Sequence, residues 1–119
     1  MQLTHFGAAL RKARIDARVS LVKMAEEIGS SASFISRIET GISKVPEDWV
    51  SRIQSFMDSK GVTIPDLRQL ADIHNRSVDL NQLDYEHAWL VSTLANTQLS
   101  STQILEVQTF LDRIRGVKP

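Results

Sequence analysis

Apolar residues recur every three or four positions along most of the chain, which is the spacing of one face of an α-helix. No segment shows the alternation of apolar and polar residues, bounded by turn residues, that is typical of a strand. The pattern therefore predicts an all-α protein. Its seven predicted helices cover roughly residues 4–16, 21–28, 32–40, 46–60, 64–74, 84–95 and 100–115.

Residues that favour helix ends define the second, third and fourth helices. Ser20 and Ser31 stand where an N-cap side chain is needed, and Gly29 and Gly41 stand where a helix ends in the left-handed conformation. The fourth helix is predicted to begin at Pro46, because proline loses no hydrogen bond in a first turn. The second and third helices are thus short and joined by very few residues.

The sequence also predicts a fifth helix, a linker and two C-terminal helices. The fifth helix is predicted to turn Leu67, Leu70, Ala71 and Ile73 toward the core. The polar segment 75–83 is predicted to be a linker between an N-terminal domain, residues 1–74, and a C-terminal helical region, residues 84–119. Ser100 and Gln103 predict a capping box at the start of the last helix.

Composition favours a folded, cytoplasmic protein. Of the 119 residues 42% are hydrophobic and 24% charged, and no stretch is long and apolar enough for a membrane helix or a signal peptide. The absence of cysteine excludes disulfides and thiolate zinc sites. The formal net charge of zero counts against a nucleic-acid partner, although residues 1–60 hold nine Lys and Arg against seven Asp and Glu.

Signals for catalysis are absent from the sequence. His5, His74 and His87 are far apart, with no second ligand at metal-binding spacing, and each is expected at a surface or a helix end. The five glycines do not cluster into a phosphate-binding loop. We therefore expect no enzyme activity, no metal and no cofactor.

The segment from Val19 to Gly41 carries the main functional signal. Two short helices that cross steeply need a small residue at the crossing and a tight turn between them, and Ala25 and Gly29 supply these. With the sequence Ile-Ser-Arg-Ile-Glu-Thr-Gly at residues 35–41, the segment resembles the Cro/CI-type helix-turn-helix regulators, also called the XRE family. The resemblance covers roughly residues 4–74 and implies a five-helix, lambda-repressor-like DNA-binding domain.

The resemblance also implies which residues meet double-stranded DNA. The third helix would lie in the major groove, and its expected base-reading residues are Ala32, Ser33, Ser36 and Arg37. The expected contacts to the DNA backbone are Lys23, Phe34, Ser43 and Lys44. Arg37 could instead contact phosphate, Phe34 could pack beside the groove, and Lys44 could be an ordinary solvated loop lysine.

Two further features follow from the comparison with that family. A buried ion pair between the first and third helices would fall on Arg14 and Glu39, the alternative being two solvated charges. Leu21 stands where many members carry Gln, and Ala32 and Ser33 stand where phage repressors place long amides. Few side chains are therefore expected to read bases directly, and part of the specificity is expected to come from DNA shape.

The C-terminal region is rich in large apolar side chains at helical spacing. Those expected to mediate dimerisation are Trp89, Leu94, Ile104, Val107, Phe110, Leu111 and Ile114. They could fold back on the N-terminal domain, but a homodimer would bury them and supply the two-fold symmetry that an inverted-repeat operator mirrors.

These features together predict a dimeric repressor of its own or a neighbouring promoter. One alternative is an antitoxin-type module, whose C-terminal helices clamp a toxin or other protein while the helix-turn-helix binds the operator. Another is a helix-turn-helix that has lost DNA binding and serves as a protein adaptor, which the neutral net charge permits.

Overall fold

The computed structural model describes residues 2–117, and within that range all regular secondary structure is helical, without a strand. This confirms the predicted all-α fold. None of the helices in these residues is long and apolar enough to cross a membrane. The seven helices are α1 (His5–Asp16), α2 (Leu21–Ile28), α3 (Ala32–Glu39), α4 (Trp49–Ser59), α5 (Leu67–Asn75), α6 (Tyr85–Ala95) and α7 (Ser101–Arg115).

The first five helices enclose one hydrophobic core. Helix α1 packs against α3 and α5, α2 against α3 and α4, and α4 against α5. Each of the five contributes at least one of the largest fully buried side chains, which are Phe6, Leu10, Met24, Ile35, Ile38, Ile53, Met57 and Leu67. Burial of one such side chain stabilises a fold by about 1.5 to 3 kcal/mol. The five helices therefore form a domain with a core of its own.

The two helices of the predicted helix-turn-helix begin and end where the sequence indicates. The Ser20 hydroxyl accepts a hydrogen bond from the Lys23 amide at 3.0 Å, and the Ser31 hydroxyl accepts one from the Phe34 amide at 3.1 Å. Gly29 ends α2 with a φ of 84°, a backbone conformation that a side chain disfavours. Only three residues then separate α2 from α3, and this short connection fixes their crossing.

The start of α4 was predicted wrongly. The helix begins at Trp49 and not at Pro46, because residues 46–48 form a turn that the Trp49 amide closes by donating to the Pro46 carbonyl at 3.1 Å. The first α-helical hydrogen bond runs from the Arg52 amide to the Asp48 carbonyl. The side chain of Asp48 makes no capping hydrogen bond.

Helix α5 also differs from its prediction. It begins at Leu67 and not at Ile64, because the residue before a proline is disfavoured in a helix and Asp66 adopts a left-handed φ of 56°. Ile73, predicted to face the core, is 67% exposed. His74 lies on the inward face instead, with its ring edge-on to Phe6 at a centroid distance of 5.4 Å.

The chain divides into two compact units, one reaching to Val78 and the other beginning at Asp79. This boundary lies inside the segment predicted as a linker, and the predicted limits at residues 1 and 119 lie outside the described residues. In the second unit Asp84 caps α6, and Ser100 and Gln103 form the predicted capping box at the start of α7. Neither α6 nor α7 contains a buried residue.

Candidate nucleic-acid interface

Helix α3 presents one face to the core and the other to solvent. Ile35 and Ile38 are fully buried, whereas Ser33, Ser36 and Arg37 are exposed. This separation follows from the helical period, because apolar residues three apart lie on one face and the polar residues between them on the other. Three of the four residues predicted to read DNA bases therefore point away from the core.

The exposed face of α3 carries no negative charge. Its only acidic residue, Glu39, is buried, with a relative exposure of 4%. The exposed groups are two hydroxyls and the guanidinium of Arg37, all of which can donate hydrogen bonds. A DNA duplex, which presents phosphates and the acceptor-rich edges of guanine, would meet no repulsive carboxylate on this helix.

Ala32 and Phe34 occupy the border between the core and the exposed face. Both are partly buried and pack against the core. The Phe34 ring lies edge-on to Trp49 at a centroid distance of 5.2 Å, and the Arg37 guanidinium carbon lies 5.8 Å from the centre of the Phe34 ring. Phe34 thus rests on the first residue of α4 and supports the side chain of Arg37 through a cation–π contact.

Arg14 and Glu39 meet across the interface between α1 and α3. The Nη2 atom of Arg14 lies 3.4 Å from Oε1 and 3.3 Å from Oε2 of Glu39, and the two side chains are only 13% and 5% exposed. The Nε atom of Arg14 is buried without a hydrogen-bond partner. The pair therefore fixes α3 against α1 but does not use the full hydrogen-bonding capacity of the guanidinium.

The segment between α3 and α4, residues 40–48, is here called the α3–α4 loop. Lys44 is exposed at its centre, and Ser43 beside it is half-buried. Both follow the C-terminal end of α3, to which the loop is tied because the Ile42 and Ser43 amides donate to the Arg37 carbonyl at 2.9 and 3.1 Å. The start of the loop that carries Lys44 is therefore fixed to the C-terminal end of α3.

Lys23, the remaining predicted backbone contact, belongs to α2. Its ammonium group lies 3.8 Å from a carboxylate oxygen of Glu27, and the side chain is 58% exposed. Glu27 also lies 3.7 Å from the ammonium group of Lys60. Lys23 thus keeps most of its side chain accessible but shares its charge with a carboxylate on the same helix.

Two α5 residues that the sequence did not mark as functional, His74 and Asn75, hydrogen-bond to the α3–α4 loop. Asn75 falls in the predicted linker, and His74 is predicted only to lie at a surface or a helix end. No local signal identifies them, because their partners lie about thirty positions earlier in the chain.

The residues predicted to mediate dimerisation lie on α6 and α7 of the second unit. Six of them are exposed and one, Val107, is half-buried. Exposure is highest for Ile114 and Trp89, at 65% and 64%. The two helices therefore do not bury these apolar side chains against each other, and exposed apolar patches are typical of interaction sites.

Comparison with known proteins bears on the first unit above all. A sequence model described as a helix-turn-helix domain matches residues 5–83, which include α1 to α5. Comparisons with curated proteins and with solved structures gave no match.

Proposed function

Because the chain belongs to the helix-turn-helix domain family and so is a DNA-binding regulator, we propose that it is a sequence-specific repressor of the Cro/CI type, also called the XRE family. In this proposal α3 enters the major groove of double-stranded DNA in the cytoplasm, and the protein binds DNA without catalysing a reaction. The observation that carries the proposal is the exposed face of α3, which is free of negative charge and carries the guanidinium of Arg37.

Arg37 is the strongest candidate for reading a base. A guanidinium can donate two hydrogen bonds to O6 and N7 of one guanine, whereas Ser33 and Ser36 make single, less selective bonds. Ala32 offers at most an apolar contact to a thymine methyl group. With only one long side chain on the exposed face, part of the specificity would come from DNA shape. The alternative is that Arg37 contacts a phosphate, and the base preference of an Arg37 variant tests whether Arg37 reads a base.

The anchoring contacts surround this face. Ser43 and Lys44 lie in the loop that follows α3 and would meet phosphates of the strand that flanks the groove. Lys23 would reach the same strand from α2. Phe34, also predicted to touch the backbone, has one side against Trp49, so it can offer only its outer edge to a sugar. Such contacts set orientation and affinity and carry no sequence information.

The second unit would join two copies of the chain. Large apolar side chains of α6 and α7 are exposed, and the two helices are not packed closely along their lengths. A pair of isolated helices is marginal in water, so association with the same helices of a second copy would bury the apolar face. A two-fold dimer would present two α3 helices to an inverted-repeat operator at its own or a neighbouring promoter.

Selection of binding sites from a pool of random duplexes tests this function. The full chain should enrich one motif repeated in inverted orientation, with half-site centres about one helical turn apart, roughly 34 Å, or a multiple of it. Enrichment of a single, unrepeated motif would contradict the dimeric arrangement. Recovery of no motif would contradict sequence-specific binding and favour a helix-turn-helix used as a protein adaptor.

The exposed α6 and α7 faces also support an antitoxin-type function, in which a toxin or other protein covers them. The two readings differ in the state of the purified chain. Sedimentation as a dimer at micromolar concentration favours the repressor, because its own copy then covers the apolar surface. A soluble monomer that forms a complex with the product of an adjacent gene favours the antitoxin.

A further inference from the structure

The last two residues of α5, His74 and Asn75, hydrogen-bond to the α3–α4 loop on both sides of Lys44, and these hydrogen bonds are here called the α5 grip. His74 makes a hydrogen bond of 2.9 Å between Nε2 and the Ser43 carbonyl. The side-chain oxygen of Asn75 accepts from the Val45 amide at 2.8 Å, and its side-chain nitrogen donates to the Val45 carbonyl at 2.9 Å. The residues before and after Lys44 are therefore both fixed, while Lys44 itself is exposed.

These contacts supply the loop with backbone hydrogen bonds, which a helix or strand would otherwise provide. The amide of Asn75 satisfies both backbone polar groups of Val45, much as a neighbouring strand would, and the Val45 side chain is buried. The imidazole of His74 is fixed in turn, since its Nδ1 atom lies 2.9 Å from the hydroxyl of Thr4, the residue that caps α1. The loop is thus tied to α1, α3 and α5 within one unit.

The α5 grip affects binding because a lysine on a flexible loop loses conformational entropy when it binds a phosphate. A loop that is ordered beforehand avoids much of that cost and keeps its charge at a constant distance from α3. Ser43 and Val45 are held by α5, and the Arg37 carbonyl holds the start of the loop. The position of Lys44 relative to the exposed face of α3 therefore depends on His74 and Asn75.

We propose that His74 and Asn75 are positioning residues that hold Lys44 where it binds a phosphate of the DNA strand beside α3. Neither residue needs to touch DNA, and their effect passes through the backbone of residues 43–45. This inference rests on the proposed DNA-binding function. It adds that α5, which lies outside the helix-turn-helix itself, determines one of its phosphate contacts.

A double-mutant cycle between Asn75 and Lys44 tests the proposal. The wild type, Asn75→Ala, Lys44→Ala and the double variant are titrated with the selected duplex over a range of salt concentrations, below the melting temperature of each protein. Gln69→Ala, which removes an exposed amide from the same helix, is the matched control. Loss of one phosphate contact lowers the slope of log K against log salt by about 0.9.

We expect Asn75→Ala to weaken binding about three- to tenfold and to lower the salt slope by about 0.9, as Lys44→Ala does. In the Lys44→Ala background, Asn75→Ala should have almost no further effect, because the contact that it positions is already gone. Gln69→Ala should match the wild type. An equal loss with and without Lys44, or an unchanged salt slope, would overturn the proposal.

Amide exchange of the free proteins separates this proposal from the function on which it rests. The Val45 amide should be protected in the wild type and in Gln69→Ala and should exchange rapidly in Asn75→Ala. An unprotected Val45 amide in the wild type would show that the α5 grip does not hold the loop, whatever the protein binds. A wild type that binds no duplex selectively, but protects Val45, would overturn the proposed function and with it the role of the α5 grip in DNA binding.

Discussion

Gly7 lies directly against the backbone of Glu39, so that a Cβ atom added at Gly7 would overlap the Glu39 carbonyl group. The same carbonyl accepts a hydrogen bond from the Thr4 amide at 3.2 Å. The start of α1 thus touches the last residue of α3 with backbone on both sides. This contact sets the distance between α1 and the helix proposed to bind DNA.

Replacing Gly7 with alanine should destabilise the protein by roughly 2 kcal/mol or more, because backbone atoms cannot move aside as a flexible side chain does. Helix propensity alone predicts the opposite sign, since alanine is favoured over glycine within a helix by about 1 kcal/mol. Urea unfolding decides between them. Ala8→Gly, at the exposed neighbouring position, is the matched control for propensity; a Gly7→Ala protein more stable than wild type would contradict the close contact.

Removing one partner of the Arg14–Glu39 pair should be costly. Glu39→Ala is expected to lower the free energy of unfolding by about 3 to 5 kcal/mol, because Arg14 would stay buried without a counter-charge. The double variant Arg14→Met/Glu39→Leu should recover much of the loss, since it removes both charges and keeps the volume. Asp16→Ala breaks the exposed pair with Lys12 and should cost less than about 1 kcal/mol. Equal effects of Glu39→Ala and Asp16→Ala would show that the buried pair is no stronger than a solvated one.

The sequence predicted the elements whose causes are local. Ser20 and Ser31 cap their helices through amides three residues ahead, so their role is visible in a short window. The starts of α4 and α5 were missed because a proline marks a change of direction without saying whether a turn or a helix follows. Asp48 and Asp66 adopt conformations that their residue types do not dictate.

Contacts between distant segments could not be predicted from the pattern alone. Asn75 looks like a linker residue, and only the folded chain brings it to Val45. His74 takes the inward position that the apolar pattern assigned to Ile73, because a polar residue with two hydrogen bonds can occupy a partly buried site. Arg14 and Glu39 were paired through a family resemblance and not through their spacing.

Arg37 and Lys44 should affect DNA binding in different ways. Arg37→Ala is expected to cost about 1 to 3 kcal/mol on the preferred site and to relax preference at one base pair. Lys44→Ala should weaken binding to all duplexes alike and lower the slope of log K against log salt by about one, which corresponds to one phosphate contact. Affinities for single-base operator variants measure both effects, and an Arg37→Ala profile identical in shape to that of wild type would show that Arg37 does not read a base.

The apolar face of α7 should control assembly. Leu111→Glu in the full chain is expected to give a monomer, because a charge would then lie in the proposed dimer contact, whereas Thr102→Glu at an exposed polar position of α7 should stay dimeric. Sedimentation measures both. The monomer should retain weak, salt-sensitive DNA binding and lose most preference for the inverted repeat. A Leu111→Glu protein that remains a dimer would place the interface elsewhere.

The central claim, that the exposed face of α3 binds DNA, is tested most directly by charge reversal at one serine. Ser36→Glu introduces a carboxylate on that face, and Ser55→Glu introduces the same charge at an exposed position of α4. In gel shifts on the selected duplex, Ser36→Glu should reduce affinity at least about tenfold, because a carboxylate would face phosphates and base acceptors, while Ser55→Glu should stay within about twofold of wild type. If the two variants bind with equal affinity, α3 does not form the DNA-binding surface.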